Sequence, residues 1–110
     1  MMQIALSPAA LGLLRALIAR AGVPRDRILL SEWRSVDWQS LTFVGERHHV
    51  SLRIAGPDSA AVAARLMGGL EEAEFEIRGQ TVADIAGIGG IEPTADGFTV
   101  VNIEALTIAE

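Results

Sequence analysis

The chain contains no cysteine and no lysine, and no apolar run long enough to cross a bilayer. The first absence excludes a disulfide framework and any thiolate zinc site, and it suits a reducing cytoplasm. The second leaves arginine to supply all nine basic residues; together with abundant alanine and glycine, this is the bias expected of a GC-rich bacterial genome. The longest apolar stretch, Ala9 to Ala19, is broken by Arg15 and falls short of the roughly 20 residues that a membrane helix needs. Met1 to Leu6 carries no basic n-region, so no secretory leader is expected in these residues. There is no helical HExxH, no GxSxG and, without cysteine, no Cys-His dyad. These exclusions point to a soluble cytoplasmic protein, with no metal, no cofactor and no membrane contact expected.

What is present is a chain of 110 residues, half of them hydrophobic, enough for one domain with a single core. Its charges are segregated. Residues 1–56 carry seven arginines against four acids and residues 57–110 two arginines against ten acids, a split hidden in the net charge of −5. The hydrophobic pattern repeats a helix followed by a hairpin across the same boundary, so the single domain reads as two α-β-β units, about 1–56 and 57–110. The acidic balance argues against nucleic acid as the main partner, because phosphate binding relies on clustered basic charge. Only Arg25, Arg27, Arg34, Arg47 and Arg53 offer a local basic patch.

Ser7 suits an N-cap, Pro8 the first helical position, Leu6 and Leu11 a hydrophobic staple, and Gly22 with Pro24 a stop, which predicts a helix over 8–21. At 100° per residue, Leu11, Leu13, Leu14, Leu17 and Ile18 share one arc, and Ala9, Gly12, Arg15, Ala16, Ala19 and Arg20 the other. Arg27 to Trp38, a turn at Gln39-Ser40 and Leu41 to Ala55 read as a hairpin. In its second strand Val44, Val50, Leu52 and Ile54 alternate with Arg47, His49, Ser51 and Arg53. In the first, Trp33 and Trp38 fall on opposite faces, so either a bulge separates them or one is exposed.

Gly56 to Ser59 offers a cap for a second helix over 58–70, with Gly68-Gly69 weakening its end. Strands over 73–86 and 97–109 follow, joined by a long glycine-rich connection. The order α-β-β-α-β-β favours an α+β fold, a four-stranded, mainly antiparallel sheet with two helices packed on one face. Order 1-2-4-3 is the first expectation; a right-handed βαβ unit placing strands 2 and 3 side by side is the alternative.

The residues able to carry chemistry are few. His48 and His49 are the only histidines, and as strand neighbours they point to opposite faces and cannot jointly hold one metal within a chain. Adjacent histidines in a small αββαββ chain are similar to those of pterin dehydratases, but here Val50 follows the pair where that family has proline, and no third histidine exists. His48 shares its parity with Val50 and Leu52, the pattern of a histidine bonded within the fold. As a general base it would take Glu46 or Asp84 as acid-base partner. Trp33, Arg34, Trp38 and His49 are a candidate ligand platform. Gly87, Gly89 and Gly90 precede a strand rather than a helix, which argues against a phosphate loop.

The helix exteriors are the most suggestive surface. Gly12, Ala16 and Ala19 on the first helix, and Ala61, Ala64 and Gly68 on the second, form stripes of small residues that another backbone could approach. Arg47 and Arg53 meeting Glu74 and Glu76 would add a charged contact, within a chain or between chains. The resulting expectation is a self-associating or protein-binding module, a homodimer first, leaning away from catalysis. The alternative is a small-molecule binder or enzyme with a cleft near His48.

Overall fold

A computed structural model describes residues 6–110. Helix α1 spans Pro8–Ala21, α2 Ser59–Met67, and the strands are β1 Ile28–Gln39, β2 Val44–Ile54, β3 Gln80–Gly87, the two-residue β4 Glu92–Pro93 and β5 Thr99–Ala109. The sheet order is β1-β2-β5-β3, with β4 also paired to β5. All of these pairings are antiparallel. In terms of the four long strands this is the expected 1-2-4-3 order, with β5 between the two strands that α2 connects. Among the described residues no helix is long and apolar enough to cross a membrane.

The ends of α1 follow from its sequence. The Ser7 side chain accepts a hydrogen bond from the Ala10 N–H, Pro8 occupies the first turn, and Gly22 closes the helix in the left-handed region at φ 72°. The buried residues, however, are Ala9, Ala10, Leu13, Leu17 and Ala21, rotated from the expected arc, with Ala9 inside rather than out. Alanines at both ends of this set let the helix axis lie close to the sheet. Leu11, expected in the core and as a staple for Leu6, is 38% exposed, and Leu14 and Ile18 pack only partly against the core.

Alternation in β2 buries His48, Val50, Leu52 and Ile54 toward the helices, and β5 buries Thr99, Val101, Ile103, Ala105 and Thr107. The apolar ones among them meet Leu13, Leu17, Val62 and Leu66 in one core. Full burial of each leucine, isoleucine or valine side chain stabilises the fold by about 1.5–3 kcal/mol before entropy is counted. Among the described residues no helix lies on the opposite sheet face.

The second half departs from expectation in three places. Helix α2 stops at Met67 rather than at 70, because Gly68 leaves the helical region and Gly69 adopts φ 68°. Asp58 makes no side-chain cap bond there. Its carboxylate pairs with the Arg27 guanidinium, while Ser59 bonds Thr99 across the core at 2.7 Å. The segment 73–79, read as strand, forms no ladder apart from a single Ile77–Gln80 bridge. Its alternation is real, since Phe75 packs on the core and Ile77 is buried while Glu74, Glu76 and Arg78 are exposed. It is an extended strap along the helix layer, and Ile77 fills the space over Gly12. Gly79, at φ 76°, then turns the chain into β3.

The two helices are tied by reciprocal capping. Arg20 of α1 donates from Nε to the Leu66 carbonyl at 2.8 Å and also reaches the Gly68 carbonyl. Arg65 of α2 donates from Nη2 to the Ala21 carbonyl at 2.8 Å. Each cation thus sits at the negative end of the other helix. Replacing Arg20 or Arg65 by alanine should cost about 1–2 kcal/mol each, with lysine recovering only part because it lacks the planar fork. Urea midpoints of the three proteins test this; alanine variants as stable as the unaltered chain would contradict it.

Candidate functional site

His48 is fully buried on the helix side of β2. Its Nδ1 lies 2.7 Å from Ser35 Oγ and its Nε2 2.9 Å from Thr107 Oγ1. The Trp33 indole N–H, which can only donate, bonds Ser35 Oγ at 2.9 Å. Thr107 Oγ1 donates to the Glu46 carbonyl at 3.5 Å. One direction of donation satisfies the whole chain of contacts. Trp33 donates to Ser35, Ser35 to His48 Nδ1, His48 Nε2–H to Thr107, and Thr107 to the Glu46 backbone. The histidine is then neutral, with its proton on Nε2. Burial lowers its pKa from 6.5, outweighing the Glu46 charge, which raises it. The Trp33 ring meets the imidazole edge-on, with centroids 5.7 Å apart.

Neither acid-base partner expected for His48 is hydrogen-bonded to it. Glu46 shares the helix-side face, but its Oε1 accepts from Ser7 Oγ at 2.8 Å. Asp84 is exposed on β3, opposite Leu106 on the other sheet face. The imidazole is fully buried, and each of its nitrogens is hydrogen-bonded to a hydroxyl. Among the described residues, no group of three or more metal-ligating side chains converges.

The tryptophan platform is divided by the sheet. Trp33 lies on the helix side, while Arg34, Trp38 and His49 lie on the open face. The bulge that sets this phase falls between Leu30 and Glu32, ahead of both tryptophans rather than between them. Cross-strand rows on the open face read Trp38, Gly45, Ile108 and Thr81; Val36, Arg47, Leu106 and Asp84; then Arg34, His49, Glu104 and Ala86. His49 Nδ1 stands 3.7 Å from Glu104. Arg53 pairs with Asp96 at 2.7 Å and lies over the Phe98 ring. Arg47 and Arg53 are therefore on the open face, whereas Glu74 and Glu76 belong to the strap on the helix layer; within one chain they do not meet. Of the five arginines of the suggested basic patch, Arg34, Arg47 and Arg53 share the open face, and Arg27 and Arg53 are each engaged by a carboxylate.

The small-residue stripes differ from one another. Gly12 faces Ile77 of its own chain, with only 2.6 Å between an added Cβ and the Ile77 Cγ2, and Ala16 packs partly on the core. Ala19, Ala61, Ala64 and Gly68 are exposed.

A different surface stands out. Among the described residues seven large hydrophobics are exposed, and five of them, Leu29, Val36, Leu41, Phe43 and Val44, lie on the β1–β2 hairpin, with Leu41 fully exposed at its tip. In the sequence these residues look like core. Val36 pairs with Arg47 on the face that carries no helix among the described residues, whereas Val50 pairs with Trp33 on the helix side. Comparison with protein-family models, with curated proteins and with solved structures gave no match.

Proposed function

We propose that this chain is a non-catalytic self-associating module, a homodimer in the first instance, and that its contact surface is the β1–β2 hairpin. The concentration of exposed apolar side chains on that hairpin carries this reading. Leu29 and Val36 lie on the open face, Val44 on the helix-side face and Leu41 and Phe43 at the tip, so the hairpin presents apolar side chains along its whole length. The burial of His48 and the occupation of both its nitrogens favour this reading over a small-molecule cleft there. We place the protein in the cytoplasm, since its apolar core calls for no oxidising compartment.

Trp38 reports on the proposed surface directly. A Trp33→Phe protein keeps Trp38 as its sole tryptophan, half-buried on the open face. As protein concentration rises, its emission should move to shorter wavelength and its acrylamide quenching should fall. Emission and quenching that stay constant over serial dilution from a concentrated stock would count against the hairpin as the contact.

A further inference from the structure

We propose that a second copy of this chain adds to the outer edge of β1, antiparallel and centred on Val36, so that the two sheets become one. This rests on the self-association proposed above and specifies its geometry. Strand β1 ends the sheet order, and among the described residues no strand pairs with its outer side. Its beginning is blunted by the bulge at Ser31, but Glu32 to Gln39 keep an unbroken register with β2. This run contains neither proline nor lysine, the residues that commonly guard a sheet edge. Ser35, Val36 and Asp37 are all exposed, so neither sheet face is covered there.

The hairpin turn sets which backbone groups are on offer. Ser40 N–H donates to the Phe43 carbonyl at 2.8 Å, and alternation from that pair directs the backbone groups of Trp38, Val36 and Arg34 toward β2. Those of Trp33, Ser35 and Asp37 then point outward. Two copies related by a two-fold axis must place facing side chains on the same sheet face, so the axis passes through a residue.

Five centres, Trp33 to Asp37, lie toward the middle of the straight run, and four of them are disfavoured. Centring on Arg34 or on Asp37 opposes like charges at the axis. Centring on Trp33 runs into the bulge, because Ser35 would then face Ser31. Centring on Ser35 sets Trp33 against Asp37 and Arg34 against Val36, pairing apolar groups with charged ones.

The Val36 centre differs from all of these. Val36 meets its own copy, Arg34 of each chain meets Trp38 of the other, and Ser35 of each meets Asp37 of the other. The Arg34–Trp38 and Val36–Val36 positions are the non-hydrogen-bonded kind, where side chains approach most closely. Arginine against the face of tryptophan is a favourable cation–π arrangement. No like charges oppose one another. The axis is perpendicular to the sheet, so both helix layers lie on the same side of the joined sheet.

The absence of cysteine makes the test clean. Facing Cα atoms at a non-hydrogen-bonded antiparallel pair are about 4.5 Å apart, inside the range of about 4.4–6.8 Å that a disulfide spans. A Val36→Cys protein should therefore oxidise to a covalent dimer. Val44→Cys, with 58% exposure against 57% for Val36, stands away from the axis and should remain largely uncrosslinked. Val36→Lys should keep the circular dichroism of the folded chain and reduce dimer affinity at least tenfold, since it sets two ammonium groups face to face. Equal crosslinking of the two cysteine variants, or a dimer unmoved by Val36→Lys, would overturn the β1 edge while leaving self-association standing. A monomeric unaltered chain would overturn both.

Discussion

A Gly45→Ala protein should be severely destabilised, with a large unfolded fraction where the unaltered chain is folded. Gly45 sits on β2 opposite Ile108 of β5. An ideal Cβ built on it falls 1.9 Å from the Thr107 carbonyl oxygen, 3.0 Å from its carbon and 3.1 Å from the Ile108 Cα. All three obstacles are backbone atoms held in the ladder, so no side-chain rotation relieves the collision. Overpacking a core costs about 1–3 kcal/mol when side chains can yield. Here the strands themselves must part, and a loss of about 3 kcal/mol or more is expected. Against a total stability on the order of 5–15 kcal/mol, that is a major fraction. Gly90→Ala is the control. It has nothing within 4 Å of its added Cβ and no positive φ, so its effect should stay within about 0.5 kcal/mol. Urea midpoints measure the difference, and similar midpoints for the two variants would refute the close approach of β2 to β5.

The second large effect belongs to His48. Its pKa is lowered in the folded state by burial, so the unfolded chain takes up a proton first as the pH falls. Stability is therefore complete above the unfolded value of 6.5 and declines below it, toward the depressed folded value. Asp58 and Asp96 act in a different window. The Arg27 hydrogen bond to Asp58 and the Thr94 hydrogen bond to Asp96 lower their pKa below 3.8, so their contribution is lost only when the pH falls through those lower folded values. A fall in melting temperature that begins as the pH drops below about 6.5 is thus the expected mark of the histidine.

His48→Leu removes the titrating group and leaves Thr107 with its weak bond to the Glu46 carbonyl alone. It should cost about 2–3 kcal/mol near neutral pH and flatten the slope in that window. A variant that keeps the full acid slope would show that another group titrates there.

Much of this architecture was legible in the residues, for identifiable reasons. Helix α1 announced both ends because Ser7, Pro8 and Gly22 act locally, each on the backbone within a turn of itself. Strand β2 was legible because one face is covered and the other open, which writes a strict alternation into the sequence. The strap at 73–79 was misread for the same reason. Alternating Phe75 and Ile77 with Glu74 and Glu76 requires only an extended chain lying on a core, and period two does not reveal whether a neighbouring strand supplies hydrogen bonds. The rotation of α1 was hidden because leucines and alanines are both apolar, and only the closeness of helix to sheet decides which face turns inward.

The candidate sites divide along similar lines. Strand parity indicated that His48 faces the core. It could not reveal the hydroxyls that hold it, since Ser35 and Thr107 are 13 and 59 residues away in the chain. The small-residue stripes of the helices were visible, but whether a stripe is free depends on what crosses it, and Ile77 crosses Gly12. Exposure of Val36, Phe43 and Leu41 was the least legible feature. Val36 faces the side of the sheet that carries no helix among the described residues, and Leu41 and Phe43 lie in the turn between β1 and β2, placements that only the assembled fold shows.

The most direct test of self-association is the molar mass of the unaltered protein, by light scattering after size exclusion, at about 50 mM and about 1 M salt, between which the screening length falls severalfold. Association through backbone pairing and apolar side chains predicts twice the mass of one chain at both salt concentrations. The mass of a single chain at both would contradict the account.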